Sequence, residues 1–155
     1  MANASSTMYT YLGYRTAGTT TAFTKLCSIK DYPDLGGAPD QIDITDLDDD
    51  VQKFILGVQS MSTLEFLANY DKDTYETISG LSDGTMYEFC VSFGKNPTAP
   101  KEYGMFTWEG QLAVWVVGGG VNAAREMRIS ISATTKVVKA GSTTTFSTTA
   151  YEPTL

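Results

Sequence analysis

A chain of 155 residues with 42% hydrophobic and 19% charged side chains can bury one core without disulfide or metal staples, and is too apolar to be intrinsically disordered. Eleven Lys and Arg against eighteen Asp and Glu give a formal charge of -7, which argues against a protein that grips nucleic acid through its phosphates. Histidine is absent, so the commonest general base, metal ligand and partner of a Ser or Cys nucleophile is missing.

In chain order, MANASSTMYTYLGYR lacks a basic start followed by an apolar run, so no signal peptide is expected, and no stretch is long enough to span a bilayer. Residues 4–22 are rich in Thr, Ser and Gly and read as a flexible arm that orders against a partner. AFTKLCSIK, residues 22–30, reads as a strand. The stretch YPDLGGAPDQIDITDLDDD, residues 32–50, has seven Asp and no basic residue, and reads as a long loop. VQKFILGV (51–58) is a further strand candidate.

Period-two alternation then dominates. In MSTLEFLANY, residues 61–70, Leu64, Phe66, Ala68 and Tyr70 oppose Thr63, Glu65 and Asn69. One short helix follows: Asp73 with Glu76 forms a capping-box-like start, Tyr75, Ile78 and Leu81 an apolar stripe, and Gly80 an end. In MYEFCVSF, Tyr87, Phe89, Val91 and Phe93 oppose Glu88 and Ser92. YGMFTWEGQLAVWVV (103–117) is one long strand or a hairpin turning near Glu109 and Gly110. Met127, Ile129 and Ile131 face away from Arg128, Ser130 and Ser132 in the next strand. The fold class is mainly β, a sandwich or a sheet curled toward a barrel, with one short helix and a long loop. A single domain is expected over 1–139, with the loop at about 31–57 and a Ser/Thr-rich C-terminal arm at 140–155.

Recognisable chemistry is sparse. Cys27 and Cys90 sit in strand-like runs and read as buried free thiols. Asp46, Asp48 and Asp50 have the first three spacings of a calcium loop, but Val51 replaces the turn Gly and Gly57 stands where the bidentate Glu belongs. No phosphate loop or dinucleotide motif is present, and GGGV at 118–121 reads as a turn. Glu65, Glu88 and Glu109 could form a glycosidase pair, yet alternation places such carboxylates on solvated faces anyway. No catalytic residue, metal or cofactor is expected. Trp108 and Trp115 read as core or interface rather than as a sugar platform.

The order of these pieces resembles the major tail tube protein of long noncontractile-tailed bacteriophages. The resemblance is carried by SIKDYPDLGGAPDQIDITDLDDDVQKFILGVQSMSTLEFLANYD, residues 28–71: a strand, a Tyr-Pro-Asp-Leu turn, a short acidic segment, and a long strand ending in Asn-Tyr. It implies a β-sandwich or barrel subunit, homohexameric rings that stack into a tube, and a long loop that packs on the adjacent ring. The loop residues it would bring to a neighbour are Pro33, Asp34, Leu35, Pro39, Ile42, Asp43, Ile44 and Leu47. The implied partners are further copies of the chain and the tape measure, distal tail and tail terminator proteins. Phage DNA would pass through the lumen without specific binding, in a virion tail assembled in the host cytoplasm.

The same resemblance makes Glu65, Asn69, Glu88, Ser92 and Glu109 candidates for the lumen wall, although alternation defines two faces without saying which is inside. Residues 31–50 hold eight Asp and no Lys or Arg, whereas Arg125, Arg128 and Lys136 lie in a more basic C-terminal part. That asymmetry suits head-to-tail association and makes those three the candidate ring-contact cations. Competing readings are the inner tube of a contractile tail or type VI-like secretion machine, a β-sandwich carbohydrate-binding module, and a small acid-catalysed hydrolase.

Overall fold

The computed structural model describes residues 9–59, 63–96, 98–141 and 144–150. The chain is mainly β with one helix among these residues. Ten strands run in the order β1 (Thr10–Thr16), β2 (Phe23–Ser28), β3 (Gln41–Asp43), β4 (Phe54–Leu56), β5 (Leu64–Asn69), β6 (Tyr87–Phe93), β7 (Met105–Val116), β8 (Glu126–Ala133), β9 (Val138–Lys139) and β10 (Phe146–Ala150), with helix α1 (Lys72–Leu81) between β5 and β6.

Eight strands form one mixed sheet in the order β10-β2-β1-β6-β7-β8-β5, with β9 paired on β7. All ladders are antiparallel except β10 on β2. The long span 103–117 is one strand rather than a hairpin. Met105 to Gly110 pair with β6, and Gly110 to Val116 pair with β8, so β7 joins two halves of the sheet. Those halves face each other across the core, and the far edge is tied back where Lys30 N–H donates to Leu67 O (2.7 Å) and Leu67 N–H to Asp31 O (3.2 Å). The sheet therefore curls until β5 meets the chain leaving β2.

Gly110 marks the handover between the two halves. A Cβ there would lie 2.5 Å from Ser132 O and 3.0 Å from Ile131 Cγ2. Gly110→Ala should destabilise the fold by about 1–3 kcal/mol through overpacking. Gly119→Ala, with nothing within 4 Å, is the matched control, and urea midpoints compare them.

The main core follows the alternation read from sequence. Leu64, Phe66 and Ala68 of β5 and Met127, Ile129 and Ile131 of β8 meet Leu12, Leu26, Phe89, Val91, Trp108 and Leu112. Phe66 stacks on Trp108 with ring centroids 5.9 Å apart. Helix α1 buries Ile78 against this core. Its N-cap is Asp71, whose carboxylate accepts from Thr74 N–H (3.1 Å), so the Asp73 and Glu76 pair falls inside the helix rather than starting it. The helix runs past Gly80 to Leu81.

Three expectations are corrected. The stretch read as a loose N-terminal arm contains β1, a central strand with Tyr11 and Leu12 buried. The C-terminal arm is part of the fold as far as Ala150: Phe146 stacks on Tyr11 (6.1 Å) and, with Ala140, packs on a second small core of Phe23, Cys90 and Met105. Residues 151–155 lie outside the described part. Strand β6 has no solvent face, because this second core covers the side opposite Phe89 and Val91, leaving Cys90 and Ser92 wholly buried. A covered face erases the distinction that alternation encodes.

Both cysteines are free and buried. Burial pushes the Cys27 thiol up to about 12, and the Cys90 thiol is raised well above its ordinary value for the same reason. An acid raised on folding stabilises the fold fully below its unfolded pKa, about 8.5 for a free thiol. That contribution is lost as pH climbs from there toward about 12. Urea midpoints should hold steady to pH 8 and then fall, with a shallower fall for Cys27→Ala.

Candidate assembly surface

Between β2 and β5 the acidic loop divides into a stem and an arm. The stem belongs to the barrel: Tyr32 tilts against Phe93 (5.5 Å between ring centroids), and Tyr32 and Leu35 pack against the main core. Leu35, and the half-buried Pro33 beside it, are thus held by their own chain in the subunit; Asp34 is exposed. The arm is a separate two-stranded hairpin of β3 and β4, in register Gln41 to Leu56, Ile42 to Ile55 and Asp43 to Phe54. Asp40 N–H donates to Val58 O (3.1 Å) and Gly57 N–H to Asp40 O (2.5 Å) at its base.

Beyond the strands, Ile44 N–H donates to Lys53 O (3.0 Å), and Lys53 N–H donates to Thr45 Oγ1 (2.8 Å). The aspartates fold the tip. Asp43 Oδ1 accepts from Thr45 N–H (2.9 Å), Asp46 Oδ1 from Asp48 N–H (3.0 Å), and Asp49 Oδ2 from Asp46 N–H (3.0 Å). Lys53 Nζ lies 2.5 Å from Asp49 Oδ1. The Thr45 contacts hold Asp43 below its ordinary carboxylate pKa, and the Asp46 N–H followed by Lys53 does the same for Asp49. These carboxylates are committed to loop geometry, as Asx-type turns are. Among the described residues no group of three acidic or cysteine side chains could hold a metal ion.

What the arm displays is apolar. Ile42, Ile44, Leu47, Val51, Phe54, Ile55, Leu56 and Val58 are all exposed, Leu47 completely. Residues directly opposite in an antiparallel pair share a face, so Ile42 with Ile55 lies on one side and Phe54 and Leu56 on the other. Neither face has a core of its own. An isolated two-stranded hairpin is at best marginally stable in water, and an apolar patch of this kind marks an interaction site. Sequence reading names Ile42, Ile44 and Leu47 as apolar anchors, whereas Val51, Phe54, Ile55, Leu56 and Val58 read as a strand candidate overlapping the loop of about 31–57, without a contact role. The run Phe-Ile-Leu has no alternation, so its exposure left no signal in the sequence. Pro39 is half-buried beside a cleft that Leu56 and Gly57 share with Ala133 to Lys136, which puts Lys136 at the arm's base.

The lumen candidates separate. Glu65 and Asn69 are exposed on the outer face of β5. Glu65 is paired with Arg128 (3.2 Å), so one candidate anion and one candidate ring cation neutralise each other within the subunit. Ser92 is fully buried and donates to Pro100 O, and Glu88 receives both Nε and Nη2 of Arg15 at 2.9 Å with little exposure. Ser92 thus has no exposed surface in the subunit, and Glu88 keeps little. Glu109 is half-buried, with its backbone bonded to Thr134 and Thr135. Arg125 is exposed.

Trp108 is core, which leaves Trp115 as the exposed tryptophan. Among the described residues no helix is long and apolar enough to cross a membrane. No protein-family model and no curated protein matches the chain.

Proposed function

We propose that the protein is a non-enzymatic structural subunit of a bacteriophage tail tube, in which hexameric rings stack into a hollow tube that conducts phage DNA into the host cell. The observation that carries this reading is the arm: a barrel with its own core extends a hairpin whose eight apolar side chains are exposed and, among the described residues, join neither core cluster. Such a surface serves a protein whose final state is an assembly, with further copies as the principal partner and tape measure, distal tail and terminator proteins at the tube's ends.

The charge arrangement supports the same role. Phosphates bind where cations are free to replace counterions. On the outer sheet face Arg128 is held by Glu65 and Lys30 by Glu126 (2.7 Å), so DNA sliding past would meet paired charges. Negative-stain electron microscopy across a concentration series, with and without ammonium sulfate to strengthen apolar burial, tests the proposal. Hollow tubes with a regular ring repeat and sixfold end views are expected; dispersed monomers under every condition overturn it.

A further inference from the structure

Strand β8 separates two surfaces of matching but opposite character. At its C-terminal end Ala133 to Lys136 border the base of the arm. At its N-terminal end Arg128 and Met127 stand opposite Trp115 and Val116, and Val117 N–H donates to Glu126 O (3.0 Å), where β7 leaves the barrel into the turn 117–125. That turn surface exposes Trp115 (42%), Val116 (50%) and Val121 (94%). Arg125 beside them is exposed and makes no ion pair among the described residues. Residues 116–124, VVGGGVNAA, carry no charge at all.

We propose that this turn surface is the seat for the arm of a second copy, an inference that rests on the tube-subunit reading. The chemistry is complementary. The arm offers apolar flanks and an acidic tip, with six Asp against one Lys over residues 40–58; the seat offers apolar side chains, an unpaired cation and no carboxylate in the turn to repel the tip. The geometry sets the polarity. Arm base and seat lie at opposite ends of an eight-residue strand, roughly 26 Å apart at the usual rise, and every residue of β3 and β4 is exposed. Each contact therefore joins one end of a copy to the other end of the next, leaves a free arm and a free seat, and propagates as a stack.

Another surface with apolar and cationic groups is the cleft of Lys101, Tyr103, Lys139 and Ala140 at the start of β7. It is the less complementary site because the Lys101 amino group already donates to Thr144 O. A photo-cross-linking phenylalanine analogue in place of the solvent-exposed Leu47 discriminates, using an assembled mixture of ordinary and nitrogen-15-labelled full-length chains. Cross-links between differently labelled chains that fall within residues 115–125 are expected, and Arg125→Glu should raise the concentration needed for assembly at least tenfold. Tubes whose cross-links fall at 101–104 or 138–141, or only within one chain, overturn the seat and leave the tube reading standing. A wild-type chain that never assembles removes both.

Discussion

Replacing residues 41–56 by an Asn-Gly turn should leave a folded monomer that forms no tubes at any concentration. Asp40 and Gly57 are hydrogen-bonded neighbours at the base of the arm, so a two-residue hairpin turn can join them without moving the stem. The excised residues pair only with one another, and their apolar side chains are exposed. Removing them should shift folding stability by no more than about 0.5 kcal/mol, the usual range for surface changes. Urea denaturation gives the stability, and sedimentation with electron microscopy gives the assembly state. A coincident urea midpoint with complete loss of tubes is expected; a shortened chain that polymerises like the parent would take the assembly role away from the arm. A cut made at residues 34–50 would be a poorer test, since it removes Leu35 from the core's edge and leaves β4 without a partner.

Phe66→Ala should be the most damaging single substitution in the barrel, costing about 3–5 kcal/mol. Phe66 is completely buried, stacked on Trp108, and sits on the strand that closes the curled sheet against the chain leaving β2. Its loss opens a cavity between the two halves of the sheet, where neither half can collapse while β7 ties them together. For a domain of this size the loss corresponds to a fall in Tm of roughly 10 °C or more. Differential scanning calorimetry and the fluorescence of Trp108 report it. A shift under 2 °C would mean that the two halves are not packed as described.

Much of the barrel was legible because alternation is a direct consequence of half-burial. Leu64, Phe66 and Ala68, and likewise Met127, Ile129 and Ile131, were assignable to one face since each strand has a single apolar side. Strand β6 was half legible: Phe89 and Val91 are core as expected, but Glu88 and Ser92 read as a solvent face, whereas Arg15 holds Glu88, Ser92 donates to Pro100 O, and Cys90 between them joins the core that Phe146 and Ala140 pack on. The Thr- and Ser-rich C-terminal segment is anchored to that second core, among its described residues, by Phe146 and Ala140, and two scattered apolar residues leave no periodic trace. Strand β1 was missed for a similar reason, with Gly13 interrupting it and the Ser-, Thr- and Gly-rich stretches on either side masking a central position. A Cβ at Gly13 would come 2.5 Å from Phe146 Cε2, so the residue that weakens the strand signal is the one the overlying segment requires.

The sequence by itself determined a mainly β chain with one capped helix, two inert thiols, no histidine chemistry, and an acidic stretch too polar for its own core. It could not tell an exposed Phe-Ile-Leu from a buried one, because an apolar run without alternation is written the same way whether both its faces meet a core or neither does. Tertiary structure alone decided that: β3 and β4 bond to each other and to no other strand, so their side chains stay outside the barrel while Glu65 and Glu88 find cations within it. Burial is a property of what arrives from elsewhere in the chain, and among the described residues nothing buries the apolar side chains of the arm.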